Sequence, residues 1–223
     1  LTELPGIGSA TEAVIRQTLE GELPEYLKSL EDKATEPLVA GGLDVRAALR
    51  GDLHSHSDCS DGGSSIQEMV VTAMDLGHDS LVLTDHSPRL KVANGLDRER
   101  LLRQLDVVAE VNGELGPFRL LTGQEVDILD DGALDGDPEV LARLDVVVAS
   151  VHSKLRMEAP GMTRRMCVAL ANPNVDILGH CTGRIVVGKG RPESEFDAEL
   201  VFEAWRLTAP ETLRDTRGDR LPV

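Results

Sequence analysis

From Arg50 onward, short apolar runs alternate with stretches of helical periodicity. The runs are Gly51–His54, Ser80–Thr84, Arg119–Ile128, Asp145–Val151 and Val175–Leu178. Ser65, with Glu68 three residues on, forms a capping box for a helix over Ile66–Leu76, and Gly77 ends it. Asp97 caps a long helix running to Leu115, with Leu101, Leu105 and Val108 on one side. Short helices are expected after Pro138 and Thr163, and another over Asp197–Leu207. Strands alternating with helices predict a parallel α/β architecture.

The first part of the chain has a different pattern. Leu4-Pro5-Gly6-Ile7-Gly8 is a tight glycine turn, and Ser9 to Ile15 continues from it with apolar residues at helical spacing. This turn resembles the hairpin of a helix-hairpin-helix motif, in which glycines let backbone N–H groups approach a DNA phosphate. The alternative is an ordinary turn between helices. Glu20 to Pro37 is charged and mostly helical in pattern, with Pro24 as the first helical residue, and Ala40-Gly41-Gly42 reads as a hinge. The expected division is a helix-hairpin-helix-like segment at 1–40, a second domain at 50–207 and a tail at 208–223.

With 223 residues, 41% of them hydrophobic, the chain can bury one good core and a small appendage. Only 2% are aromatic, so Leu, Val, Ile and Ala must fill that core. The net charge of -16 excludes broad electrostatic capture of nucleic acid and leaves any DNA contact to a local feature. Cys59, Cys167 and Cys181 form no CxxC pair, which argues against a disulfide framework or zinc finger and fits a reducing cytoplasm. No apolar run reaches transmembrane length, so a membrane is not an expected partner. The chain starts at Leu1, inside what reads as a motif already under way, and is expected to be a fragment.

Chemistry enters at the ends of the strand-like runs. Four of them close on histidine: His54 with His56, His86, His152 and His180. The remaining run carries Glu125, and Asp61 follows His56 in a Ser/Asp/Gly-rich loop. Residues at i and i+2 of a strand share a face, so His54 and His56 have the spacing of a chelate. Strand carboxyl ends in parallel α/β folds converge on one face. One histidine after a strand is more often structural than a ligand, but five with a carboxylate predict two or three divalent ions, zinc, manganese or iron. Asp52, Asp85 and Asp127 adjoin ligands and either orient imidazoles or cap loops. His78 lies in a Gly-His-Asp turn and is expected to be exposed. Cys59 and Cys181 adjoin ligands but are not expected to bind metal.

These motifs resemble the polymerase and histidinol phosphatase (PHP) family of metal-dependent phosphoesterases. The matching stretches are Asp52-Leu53-His54-Ser55-His56 with Ser60-Asp61-Gly62, Thr84-Asp85-His86-Ser87, Gly123-Gln124-Glu125-Val126-Asp127, Ser150-Val151-His152-Ser153 and Gly179-His180. The wording is most similar to the PHP domain of bacterial family X DNA polymerases, where a helix-hairpin-helix precedes it. No nucleotidyl-transfer domain is visible. The resemblance implies a distorted seven-stranded β/α barrel with three metals. One ion would be held by His54, His56 and Glu125, a second by Glu125, His152 and His180, and a third by Asp61 and His86. The family's closing Asp-x-His is not found, so the barrel is expected to be truncated before its last strands, with 208–223 a truncation or out-of-frame tail rather than a genuine variant.

The implied reaction is phosphoester hydrolysis by a metal-bridging hydroxide, at a centre built on Glu125 and His152. Lys154 and Arg184, just beyond His152 and His180, either clamp the substrate phosphate or are exposed loop charges. A DNA 3′ end suits the hairpin and implies a repair-type 3′-5′ exonuclease or 3′-phosphatase. A small phosphomonoester of the histidinol-phosphate type suits the acidity. A DNA-end-binding module with a vestigial metal site is the non-enzymatic alternative.

Overall fold

The computed structural model describes residues 4, 6–35, 41–185 and 190–208. Two compact units divide at Leu49 and Arg50. In the first lie α1 (Ser9–Leu19), α2 (Glu25–Thr35) and α3 (Gly42–Ala48). The charged stretch from Glu20 opens on the end of α1: Gly21 takes φ 78°, its N–H bonds Thr18 O at 3.1 Å, and Glu22 N–H bonds Gln17 O at 3.0 Å. A left-handed residue closing both bonds stops a helix. Pro24 therefore precedes α2 rather than opening it, and its carbonyl accepts from Lys28 N–H. Of the hinge expected at 40–42, Gly41 takes φ 78° and Gly42 begins α3, while Ala40, like Pro5, lies outside the described residues.

The second unit runs β1 (Gly51–Ser55), α4 (Ile66–Asp75), β2 (Ser80–Leu83), a 3-10 turn (Lys91–Ala93), α5 (Arg98–Glu114), β3 (Arg119–Asp127), α6 (Pro138–Leu141), β4 (Val146–Ser150), α7 (Ala159–Leu170), β5 (Ile177–Leu178) and α8 (Ala198–Thr208). All five expected strands form. They pair in parallel in the order β1-β2-β3-β4-β5. Strands that neighbour in sequence order, joined by helical crossovers, are wound in one direction like a β/α barrel rather than doubly wound.

Local chemistry sets the boundaries. Ser65 and Glu68 make the reciprocal capping box of α4. Asp97 accepts from Arg100 N–H at 2.9 Å to start α5. The helix expected after Thr163 begins instead at Ala159, since Pro160 suits the first turn, and Thr163 Oγ1 donates back to Ala159 O.

The sheet is apolar on both sides. Leu81, Leu83 and Leu120 pack with α4 and α5, while Val126, Val147 and Ala149 pack with α7 and α8. The other side gathers Val82, Leu121, Val146 and Val148 with Leu53 and Ile177, so every strand contributes and no helix does. A sheet face that buries itself without a helix must curl around its own side chains. β3 is the hinge of this curl: Arg119–Thr122 pair with β2 and Gly123–Asp127 with β4. The α/β half-barrel thus delivers five strand ends to one rim. The tail from residue 209 onward lies outside the described residues, and among those described no helix is long and apolar enough to cross a membrane.

Candidate metal centre

Glu125 sits on β3 near its carboxyl end, 1% exposed. Its Oε1 lies 3.3 Å from His54 Nε2, 3.2 Å from His152 Nε2 and 2.8 Å from His180 Nε2. Its Oε2 lies 3.4 Å from His56 Nε2 and 2.9 Å from His86 Nδ1. Two oxygens therefore serve five imidazoles from four other strand ends. Asp61 flanks the group, 3.8 Å from His56 Nδ1 and 3.6 Å from His86 Nε2. All seven candidate ligands named from the sequence meet at this rim.

The local backbone explains how. Register slips between Asp52 and Ser55, where three steps on β1 face two on β2. Such a bulge re-aims a side chain. Simple alternation is thus not what brings His54 and His56 to one face: the bulge turns the strand at His54, and His56 lies beyond the strand end. The rings stand 5.2 Å apart. Beyond them, Asp85 anchors the loop carrying Asp61. Its buried carboxylate accepts from Ser57 N–H at 2.8 Å, Ser57 Oγ at 2.6 Å, Ser60 Oγ at 2.5 Å and Gln104 Nε2 at 2.5 Å. Gly62 closes the loop against His56 O, where a Cβ would come within 2.1 Å. His86 is fixed by a parallel bridge to Glu125.

Of the three aspartates with open roles, only Asp127 faces an imidazole. Its Oδ1 lies 3.6 Å from His152 Nδ1 and accepts from His152 N–H at 3.2 Å. Asp85 caps a loop, and Asp52 accepts from the His54 backbone N–H. Lys154, at φ 51°, is paired with Asp130 at 2.5 Å, and Arg184 with Glu193 at 2.8 Å, both at the surface. His78 is half-buried rather than exposed, and its Nδ1 has no hydrogen-bond partner.

Electrostatics follow from the crowding. Burial raises the Glu125 pKa, but hydrogen bonds from His152, His180, His54 and His86 outweigh it and hold the carboxyl well below the usual carboxylate range. Burial opposes protonation of His152, yet the Asp127 and Glu125 carboxylates push it up to about 9. His56 is lowered by burial and by neighbouring His86.

A divalent cation fits this donor set. His56 Nδ1, His86 Nδ1, His152 Nδ1 and Glu125 Oε2 are buried without hydrogen-bond partners, although His86 Nδ1 and Glu125 Oε2 are only 2.9 Å apart. Donors about 2.0–2.2 Å from a shared ion lie about 3 Å from one another. The close triplets are His54–Glu125–His180, His56–Asp61–His86 and His86–Glu125–His152, each with donor atoms within 4.8 Å. These triplets overlap rather than divide the donors, since Glu125 and His86 each belong to two of them. Asp61 and His180, each with a side chain 47% exposed, form the solvent side.

Arg165 was not singled out from the sequence, yet it is 1% exposed on α7. The signal was a charge within the apolar spacing Met162, Met166, Ala169.

Comparison with known proteins bears on the same region. The chain is 44% identical over 160 residues to the DNA polymerase/3′-5′ exonuclease PolX of Bacillus subtilis, covering 72% of this chain and 28% of that protein. It is 35% identical over 158 residues to a probable phosphatase of Acetivibrio thermocellus, covering 69% of this chain and 59% of the relative. It thus spans little more than a quarter of the first and under two thirds of the second. A solved histidinol phosphate phosphatase from Lactococcus lactis, complexed with zinc, L-histidinol and phosphate, aligns with TM-score 0.42 and 15% identity over 60% of this chain and 58% of that one. The PHP domain profile matches residues 52–204. With that match covering most of the chain, the protein belongs to the PHP domain family.

Proposed function

We propose that this chain is a metal-dependent phosphoesterase acting at DNA 3′ ends, as a 3′-5′ exonuclease or 3′-phosphatase, with two or three divalent ions. The observation that carries the reading is the Glu125 carboxylate shared among five imidazoles at one rim. His54, His56, Asp61, His86, Glu125, His152 and His180 would hold the ions. Bound there, divalent cations supply an acidified water and positive charge for the phosphoryl oxygens. The chain's own residues do the rest. Glu125 reaches five imidazoles through its two oxygens, Asp127 holds the His152 backbone N–H, and Asp61 and His180 leave the solvent side open to an incoming phosphate. No protein nucleophile is required. The PolX relative and the glycine turn at Gly6–Gly8 support a DNA substrate.

The net charge of -16 favours a second reading, a small phosphomonoester, and the phosphatase-named relative points the same way. Turnover of a 3′-phosphorylated oligonucleotide against histidinol phosphate, with manganese, decides between them. Higher kcat/KM on the oligonucleotide is expected, and the reverse ranking would replace the first reading with the second. Loss of both activities in His54→Ala/His152→Ala is expected. DNA binding without turnover by the wild type would leave only a binding module.

A further inference from the structure

We infer that Arg165 is a positioning residue for the His152 side of the metal centre, an inference that rests on the proposed metal-binding reading. Its guanidinium makes five hydrogen bonds. Nε donates to Ile128 O at 3.0 Å and Leu129 O at 2.9 Å. The first terminal nitrogen donates to Ser153 O at 2.8 Å, and the second to Ser153 Oγ at 3.2 Å and to Ile128 O. Every acceptor is a neutral oxygen.

The placement of those acceptors is what matters. Ile128 and Leu129 follow Asp127 directly, and Ser153 follows His152 directly. Arg165 thus ties together the segments carrying Asp127 and His152, whose own link is the His152 backbone N–H donating to Asp127 Oδ1 at 3.2 Å. The position of that joined backbone sets where His152 Nε2 meets Glu125 Oε1, 3.2 Å away. Burying a cation among neutral oxygens is costly, and a methionine like its neighbours Met162 and Met166 would fill the space without that cost. A planar fan of five N–H donors reaches two backbone segments at once, whereas a lysine ammonium, a single point with three donors, cannot span both.

The test uses the full chain and cobalt(II) as probe, with affinity and d–d absorption read for each equivalent bound. His152→Ala identifies the equivalent that depends on His152. In Arg165→Lys that same equivalent is expected to weaken about 10–100-fold, the range for losing an outer hydrogen-bonding partner of a ligand, with an altered d–d band. The other equivalents keep their wild-type affinity. An unchanged His152 equivalent, or equal weakening of all equivalents as a merely structural role would produce, overturns the inference. If Arg165→Lys does not fold, Ser153→Ala decides, because it removes one acceptor only. A two- to tenfold loss in the His152 equivalent supports the inference, since one of the five hydrogen bonds from the guanidinium is removed, and no change refutes it. Wild-type protein that binds no cobalt above a surface-site background would instead sink the metal reading itself.

Discussion

Removing the Asp85 carboxylate should unfold the centre's most polar corner at a cost that the structure bounds. In Asp85→Ala four buried donors lose their acceptor: Ser57 N–H, Ser57 Oγ, Ser60 Oγ and Gln104 Nε2. The two hydroxyls can rotate toward other oxygens. The backbone N–H and the amide cannot, and each stranded donor costs about 1–3 kcal/mol. The expected loss is therefore about 2–6 kcal/mol, a large part of the roughly 5–15 kcal/mol that holds a domain folded. Asp85→Asn keeps one oxygen for Ser57 N–H, and its new amide can face Gln104 if that side chain turns over, so it should cost about 1–3 kcal/mol. Urea denaturation followed by circular dichroism, on metal-free and metal-loaded protein, measures both. If both variants stay within 1 kcal/mol of wild type, or if Asn costs more than Ala, Asp85 does not anchor this loop.

Metal affinity should rise about tenfold per pH unit from pH 7 to about 9 and then level off, because a ligand with a pKa near 9 must release its proton before binding. Calorimetry in buffers of different ionisation enthalpy should show that proton leaving, and a flat affinity over this range would contradict it. The metal-free protein behaves oppositely. Since the folded His152 pKa is raised, its stabilisation is complete below the unfolded value near 6.5 and is lost as pH rises through about 9, visible as a falling Tm. Gly62→Ala puts a methyl 2.1 Å from His56 O, so the backbone must move; cobalt titration should show the His56–Asp61–His86 triplet weakened at least about tenfold. Val148→Ala empties part of the all-strand interior, where Val148 is 0% exposed, and should cost about 1.5–3 kcal/mol in urea denaturation.

Strand positions were legible because each run pairs apolar character with a break at Gly, Pro or a capping residue. The ligands were legible because they end those runs, and a parallel sheet brings such ends together whatever their separation in sequence. The bulge in β1 was not legible, since nothing in Leu53 or His54 marks an extra residue that only pairing with β2 creates. The surface pairs Lys154–Asp130 and Arg184–Glu193 were hidden for a similar reason: each depends on where two loops pass. A helix was expected only after Thr163, but Pro160 had already started it. The overlap of the donor sets escaped too, because the His54 ring stands 5.2 Å from His56 and also 5.8 Å from His180, a neighbour that spacing along the chain does not give.

The split pairing of β3 has a consequence for how the molecule is made. Its Oε2 partners, His56 and His86, precede Glu125 in the chain, while two of the three Oε1 partners, His152 and His180, follow it. Chains leave the ribosome amino end first. The His56–Asp61–His86 cradle is therefore translated before Glu125, and the centre is complete only once His152 and His180 have followed.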